Sequence, residues 1–246
     1  MKKYRKPGPG EELGSFSVKP TAPFYLDSPS LEMVLREITA TRARLPIASF
    51  ADSALGSIPR GGSMSRATTS PGLDLSQSLL KAYAVNERMN QLILEQLDPR
   101  VWRAKLPGQN TRTIAAIFSH VHNIRRKWLR LSAPHLKLPA QLDRTHSTQR
   151  QAGLALAESA GSCIKMLADA LASPPIRVKK FHRDGWAKPW PSGGAMFAYM
   201  LTHDAHHRGQ ICMLAHQLGF PLPPKVAYGM WGWEKLWKEC GFQGPR

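Results

Sequence analysis

The sequence predicts an all-α protein whose main domain is a four-helix bundle. Four long segments place apolar residues three or four positions apart, and no convincing run of alternating apolar residues indicates a strand. The links between these segments contain proline and glycine, which end helices. With 246 residues and 42% hydrophobic content, the chain can bury one sizeable core.

The first two predicted helices have clear limits. Helix one runs from Leu75 to Leu97 and ends at Asp98, because the proline that follows disfavours helical backbone in the residue before it. A loop over Leu106–Asn110 leads to helix two, which extends to about Leu131. The buried stripe of helix two consists of apolar residues at helical spacing, namely Ile114, Ile117, Val121, Ile124 and Trp128.

The next two helices are separated from the first pair by a long link, Ser132–His146, that contains two prolines. Helix three spans Thr148–Ala172, with Gln151 at the spacing of a capping box. A basic, aromatic loop, Ile176–Pro191, precedes helix four at Ser192–Leu218, which a glycine and a proline then end.

Helix four carries three histidines within five residues. His203 and His207 are four positions apart on the apolar stripe, so their rings can point at one place, whereas His206 lies off the stripe. Two such imidazoles supply part of the coordination shell of Zn²⁺, Ni²⁺, Fe²⁺ or Mn²⁺. Spacing alone is equally compatible with two core histidines that bond to backbone or water.

Helix two offers two candidates for a third ligand, His120 and His122. They lie about equally far to either side of the buried stripe, so the helical period does not choose between them. Taken alone, each is better explained as a flanking histidine at the surface or boundary. We interpret Asp204 as a helix-surface pairing residue, and Arg208 and Gln210 either in that way or as contacts to the ligands.

The charge of the chain suggests a different partner. Lys and Arg number 34 against 17 Asp and Glu, which gives a net charge of +17 and a pI near 10.3. The run Arg125–Arg130 and the aromatic loop Arg177–Lys188 would suit stacking on bases and contact with phosphates. No nucleic-acid-binding signature accompanies them. A basic rim that favours an anionic small substrate, such as a carboxylate or a thiol conjugate, explains the same residues with fewer assumptions.

The first 72 residues differ from the rest of the chain. They are rich in Gly, Pro, Ser and cations, so we expect a mostly disordered extension before the bundle domain at 73–246. Only Ser30–Arg42 has a helical apolar stripe, with Ser30 as its cap. Met64 lies just before the first bundle helix. The segment is compatible either with a start assigned too far upstream or with a regulatory tail.

The remaining features predict a soluble cytoplasmic protein. No apolar run is long enough for a membrane span, and the basic segment Met1–Gly10 is not followed by the apolar stretch of a secretory signal. The three cysteines have no Cys-x-x-Cys spacing, which fits a reducing compartment.

Four segments, taken in order, resemble the DinB/YfiT-like family of metal-binding four-helix bundles. They are Leu79–Leu94 with Tyr83, Asn86 and Glu87, the run Thr113–Val121 that contains His120, the motif His203–Ile211, and the aromatic segment Tyr228–Trp237. The resemblance implies a three-histidine metal centre of His120, His203 and His207, with coordination positions left open for water or substrate.

The same resemblance bears on the chain's C-terminal end. Trp231, Trp233 and Trp237 follow a proline-rich turn that can send the chain back across the bundle. A cluster this apolar covers the bundle end or forms a dimer surface, and the family it resembles is often dimeric.

Three classes of function follow. The first, which the resemblance implies, is a metal-dependent thiol transferase or isomerase in which the metal stabilises the thiolate of a low-molecular-weight thiol for attack on a small electrophile. The second is a metal-binding bundle without catalysis, such as a stress-response protein. The third is a basic nucleic-acid-binding protein. No residue identifies the metal, the thiol or the substrate.

Residues up to about Ser70 should be dispensable for folding and metal binding, because that stretch has little apolar periodicity and is rich in Gly, Pro and Ser. A chain that starts at Met64 should unfold with the cooperativity of the full chain in thermal circular dichroism and bind the same amount of metal. A large loss of helicity or metal in the shortened chain would show that the extension packs on the bundle.

Overall fold

The computed structural model describes residues 74–108, 111–183, 190–191 and 193–243, so the predicted extension and its short helix lie outside the described residues. Four long helices form the bundle: α1 (Leu75–Gln96), α2 (Ile114–Ser132), α3 (Gln149–Leu171) and α4 (Gly194–Gln217). The all-α prediction is confirmed, and the predicted helix limits agree within two residues, except that α2 begins three residues later than the end of the predicted loop at Asn110 implied.

Several short elements join or follow these helices. A 3₁₀ turn at Pro99–Val101 follows α1, and two helices, α5 (Pro224–Gly229) and α6 (Trp233–Glu239), follow α4. Two strands of two residues each, β1 (Lys180–Phe181) and β2 (Trp190–Pro191), pair antiparallel in the link before α4. Such strands are too short to leave an alternating pattern in the sequence. No helix within the described ranges is long and apolar enough to cross a membrane.

Local signals define the ends of the helices. The side chains of Asp74, Thr113 and Thr148 each accept a hydrogen bond from a backbone amide in the first turn of the helix that follows. Thr148 and Gln151 form the predicted capping box. At the end of α4, Gly219 adopts a φ of 86°, the left-handed conformation that ends helices and that glycine tolerates best.

The bundle arrangement places α2 and α3 in the same direction. Both α1 and α2 pack against α3 and against α4. The first turns of α2 and α3 contribute to one apolar cluster, and their last turns contribute to another. The link between these two helices must therefore return along the length of the bundle.

This returning link, residues 133–148, is fastened to α2 by polar side chains. Its carbonyl oxygens accept hydrogen bonds from Arg126 (to Pro139, 2.7 Å), His122 (to Ala140, 2.8 Å), Asn123 (to Leu142, 2.9 Å) and Ser119 (to Asp143, 3.1 Å). The interpretation of His122 as a flanking surface or boundary residue is wrong, because the link covers it completely. Burial also lowers the pKa of its ring, so the neutral imidazole donates to Ala140.

Between the two apolar clusters lies a layer of buried polar side chains, which we call the polar layer. Each bundle helix contributes apolar residues on both sides of the layer and polar residues within it. Its members are Asn86, Glu87, Asn90, Gln91, Arg125, Ser159, Asp204 and His207. The Arg125 guanidinium lies 2.8 Å from Glu87 and 2.5 Å from Asp204, and it is fully buried.

The C-terminal segment covers part of α1. Leu236, Cys240 and Phe242 are buried in the cluster that includes the start of α1, and Arg88 pairs with Glu239 at 2.6 Å. Trp231, in contrast, is 81% exposed. The segment therefore acts as an intrachain cover through α6 but leaves an aromatic surface open, and a homodimer through that surface stays a prediction.

Replacement of Arg125 by methionine should lower the free energy of unfolding by about 3–5 kcal/mol, because it leaves the buried carboxylates of Glu87 and Asp204 without their cation. Urea unfolding measures the change. Arg130→Met, on an exposed residue of the same helix, should change the free energy by less than about 0.5 kcal/mol. A similarly small effect at Arg125 would contradict the role we assign to the ion pairs.

Candidate metal centre

Three histidines from two helices meet at the level of the polar layer. Each of His120, His203 and His207 offers one ring nitrogen, and these nitrogens all lie within 4.8 Å of one another. The ring centroids are 4.5 Å apart for His203 and His207, 4.8 Å for His120 and His207, and 5.5 Å for His120 and His203. The structure thus brings His120, rather than His122, to the pair on α4.

The group lies where the polar layer reaches the surface. His207 is buried, whereas His120 and His203 are half-buried, so one side of the group is accessible from solvent. On the inner side the buried ring of Trp128 makes an edge contact with His203 at a centroid distance of 5.1 Å. A small molecule can therefore approach the three rings from outside, with an apolar wall behind them.

Neighbouring side chains orient two of the rings. The Nδ1 of His207 lies 2.8 Å from the Oε1 of Gln210. An amide oxygen accepts only, so Nδ1 carries the hydrogen and Nε2 keeps its lone pair. The Nδ1 of His203 faces the Oδ1 of Asp204 at 3.6 Å, an electrostatic contact that is longer than a hydrogen bond. Such partners at the second ring nitrogen commonly orient histidines that bind metals.

The protonation of the rings suits a metal. Burial, the largest cause, and the charges of the neighbouring histidines together lower the pKa of both His120 and His207 to about 4. Arg112 and Arg144 act on His120 in the same direction. The two rings are therefore neutral at pH 7, as ligands must be.

The spacing also suits a metal. Imidazole nitrogens bind a divalent transition metal at ~2.0–2.2 Å, which places the nitrogens of neighbouring ligands about 3–4 Å apart. The ring nitrogens of the three histidines lie at most 4.8 Å apart, which is compatible with this geometry. No hydrogen bond from another described residue engages the ring of His120, so its nitrogens are available. The donor set suits Zn²⁺, Ni²⁺, Fe²⁺ or Mn²⁺.

Asp204 connects the histidines to the polar layer, and its interpretation as a helix-surface residue is wrong. It is 1% exposed, and its Oδ2 accepts from Arg125 (2.5 Å), Asn86 (2.8 Å) and Asn90 (3.3 Å). Burial raises the pKa of this carboxyl, but Arg125 opposes burial and holds the pKa well below its usual range. Asp204 is thus an anion that faces Arg125 with one oxygen and His203 with the other.

The other polar residues complete this network. Glu87 accepts from Gln91 at 2.7 Å and from Asn90 at 3.1 Å, and Arg208 donates to Asn86 at 2.7 Å. The segment of α1 that resembles the family motif therefore lies beside the histidines.

The inward position of Arg125 was not predicted, because in the sequence this residue belongs to a cationic run. A signal was present, because Arg125 follows Val121 by four positions and precedes Trp128 by three, and both belong to the buried stripe of α2. Since Arg125 is buried and Arg126 bonds to the link, the run offers less cationic surface than its sequence indicates.

The free energy of unfolding of the metal-free protein should fall as the pH falls from about 6.5 to about 4. In this window the unfolded chain takes up protons on His120 and His207, whereas in the folded chain their pKa values are about 4. Protonation therefore favours unfolding. Urea unfolding at several pH values, with a chelator present, measures the slope. A His120→Gln/His207→Gln variant should give a flatter profile, and an equal slope would contradict the assignment.

A comparison with known families matches the DinB family over residues 64–234, more than two thirds of the chain. No curated protein and no solved structure matches. The matched range contains the four bundle helices and all three clustered histidines. The family binds metal, and the three-histidine group of this chain is consistent with that property. The protein belongs to the DinB family.

Proposed function

We propose that this protein is a divalent-metal-dependent enzyme of the thiol S-transferase or isomerase type that acts on a small electrophile. The observation that carries the proposal is the convergence of three imidazole nitrogens, from α2 and α4, within 4.8 Å at a half-buried position. Membership of a metal-binding family supports it. A purely structural centre would need a fourth protein ligand, and the described residues gather no further histidine, cysteine or carboxylate into this group.

In this proposal His120, His203 and His207 hold the metal. When bound, a divalent metal supplies Lewis acidity that lowers the pKa of a thiol beside it. In the overall transfer the thiol loses its proton to solvent, a bond forms from sulfur to the electrophilic carbon, and the bond from that carbon to the leaving group breaks, so that the leaving group departs with the electron pair. An isomerase would instead add the thiolate to a carbon–carbon double bond with no leaving group lost, allow rotation about the resulting single bond, and then expel the thiolate as the double bond forms again.

The chain's own residues prepare the site for this chemistry. Gln210 fixes the ring of His207, and Asp204 faces the Nδ1 of His203. Trp128 and its aromatic neighbours Phe181 and Tyr199, whose centroids lie 5.8–6.0 Å from one another, form an apolar wall. This wall keeps water from the inner side of the site and offers a surface to the apolar part of an electrophile.

The second candidate is a metal-binding bundle without catalysis, which the same three histidines support. A kinetic experiment separates the two. The metal-loaded protein is mixed with cysteine and the fluorogenic electrophile monobromobimane, and the rate of conjugation is compared with that of the His203→Ala variant at equal total metal. Acceleration by the parent protein alone supports the enzyme. Equal rates with fully loaded protein support the non-catalytic alternative.

Metal binding itself should depend on three of the histidines and not on their neighbours. The purified protein, without an affinity tag, should carry about one divalent transition metal per chain by plasma mass spectrometry. His120→Ala, His203→Ala and His207→Ala should each abolish this metal, because each removes one of the three converging nitrogens.

His206→Ala and His122→Ala serve as matched controls, since His206 is exposed and His122 bonds to Ala140. Both should retain the metal, although His122→Ala should lower the melting temperature by loosening the returning link. An essential His122 with a dispensable His120 would overturn the ligand set.

A further inference from the structure

A second concave site lies between the two links at one end of the bundle. It is a cleft of about 510 Å³ bordered by the residues before α2 and by the end of the returning link. Among the described residues, its lining includes four cations, Arg103, Lys105, Arg112 and Arg144, and no acidic residue. Its volume lies within the range of small-molecule sites. We call it the basic cleft.

The cations of the basic cleft are available to a ligand. The guanidinium of Arg103 donates a hydrogen bond to the carbonyl of Ser147 at 2.6 Å. Lys105, Arg112 and Arg144 are exposed, and no carboxylate among the described residues pairs with them. The hydroxyl of Thr111, which also lines the cleft, is shielded from solvent and has no hydrogen-bond partner in the described part of the chain. Three unpaired cations, and one guanidinium that bonds to a carbonyl, therefore accompany an unused hydroxyl.

The basic cleft adjoins the histidine group. Ala116 lines the cleft, and His120 lies four residues later on the same face of α2. Side chains of a helix lean toward its N-terminus, which directs the His120 ring toward the cleft. The charges of Arg112 and Arg144 act on that ring. One small molecule can thus touch the cleft with one end and the histidines with the other.

Building on the proposed function, we propose that the basic cleft binds an oxyanion, a carboxylate or a phosphate, of the substrate or thiol whose reacting end lies at His120, His203 and His207. Arginine guanidiniums match the planar edge of both groups and bind them through paired hydrogen bonds. The positive end of the α2 dipole, at the border of the cleft, acts in the same direction.

Anion binding by the cleft can be measured without any activity. Isothermal titration calorimetry at low salt, with inorganic phosphate and with succinate, reports whether either anion binds and which one binds better. The Arg112→Ala/Arg144→Ala variant should bind the preferred anion about five- to tenfold more weakly. Arg130→Ala/Lys137→Ala removes the same charge from exposed positions elsewhere and should bind within about twofold of the parent.

Two results would overturn the cleft as an anion site. One is the absence of saturable binding of both anions. The other is an equal loss of affinity in the cleft variant and in its charge-matched control. A further outcome would also show that the proposal is wrong. In it neither anion binds, and the cleft variant binds a short DNA duplex more weakly than the parent and the charge-matched control do. The cations would then serve nucleic acid.

A second measurement tests the link between the cleft and the histidines. The protein is loaded with Co²⁺, and thiolate binding is followed by the sulfur-to-cobalt absorption band for mercaptosuccinate and for the uncharged mercaptoethanol. The anionic thiol should bind at least about fivefold more tightly, and the Arg112→Ala/Arg144→Ala variant should abolish that preference. Equal affinities would overturn the link. Failure of the protein to bind Co²⁺ would refute the proposed function. The calorimetry would still show whether the cleft binds an anion.

Discussion

The Arg125 guanidinium on α2 joins α1 and α4 through its ion pairs with Glu87 and Asp204. All three side chains are almost completely excluded from water, so each charge relies on its partners for stabilisation. A slide of α4 by one turn, about 5.4 Å, would separate Asp204 from Arg125 and leave both charges buried alone. The ion pairs therefore set the relative height of three helices. His203 is the neighbour of Asp204 in the chain, so the same constraint brings the histidines of α4 level with His120.

The polar layer also explains why imidazoles are tolerated at this depth. Apolar clusters lie on both sides of it, and a histidine in either cluster would lack hydrogen-bond partners. Within the layer, Asp204 faces Arg125 with one oxygen and His203 with the other. The exposed Gln210 accepts a hydrogen bond from the ring of His207. The site therefore extends a hydrogen-bonded network that the fold already needs. A substitution in the network should alter the position of the histidines even where the replaced residue contacts none of them. The reason is that Asp204 contacts both Arg125 and His203.

Local signals were sufficient to predict the helices, but not the contacts between them. Caps such as Thr148 act within three residues, and the sequence shows them directly. The ion pair of Arg125 with Asp204 joins positions 79 residues apart, which a single helical pattern does not reveal. Helical spacing could not distinguish His120 from His122 as the third ligand, for a related reason. Both flank the buried stripe, and what separates them is the extended link that covers His122, a segment with no periodicity of its own. The resemblance to a family, rather than spacing, identified His120.

The charge balance around the layer bears on the ligands that the proposed site would prefer. Glu87 and Asp204 pair with the single guanidinium of Arg125, and Arg208, which bonds to Asn86, supplies a second positive charge nearby. The layer and Arg208 together therefore contribute no net negative charge. A divalent ion held by three neutral imidazoles would keep both of its positive charges, unlike an ion bound by a carboxylate. Anions are then favoured at the open positions, and a thiol there gives up its proton more easily. The cations of the basic cleft act in the same direction. Under the proposed function, the electrostatics of this end of the bundle would therefore favour thiolates and acidic substrates over neutral or cationic ones, before any contact specific to a particular substrate is made.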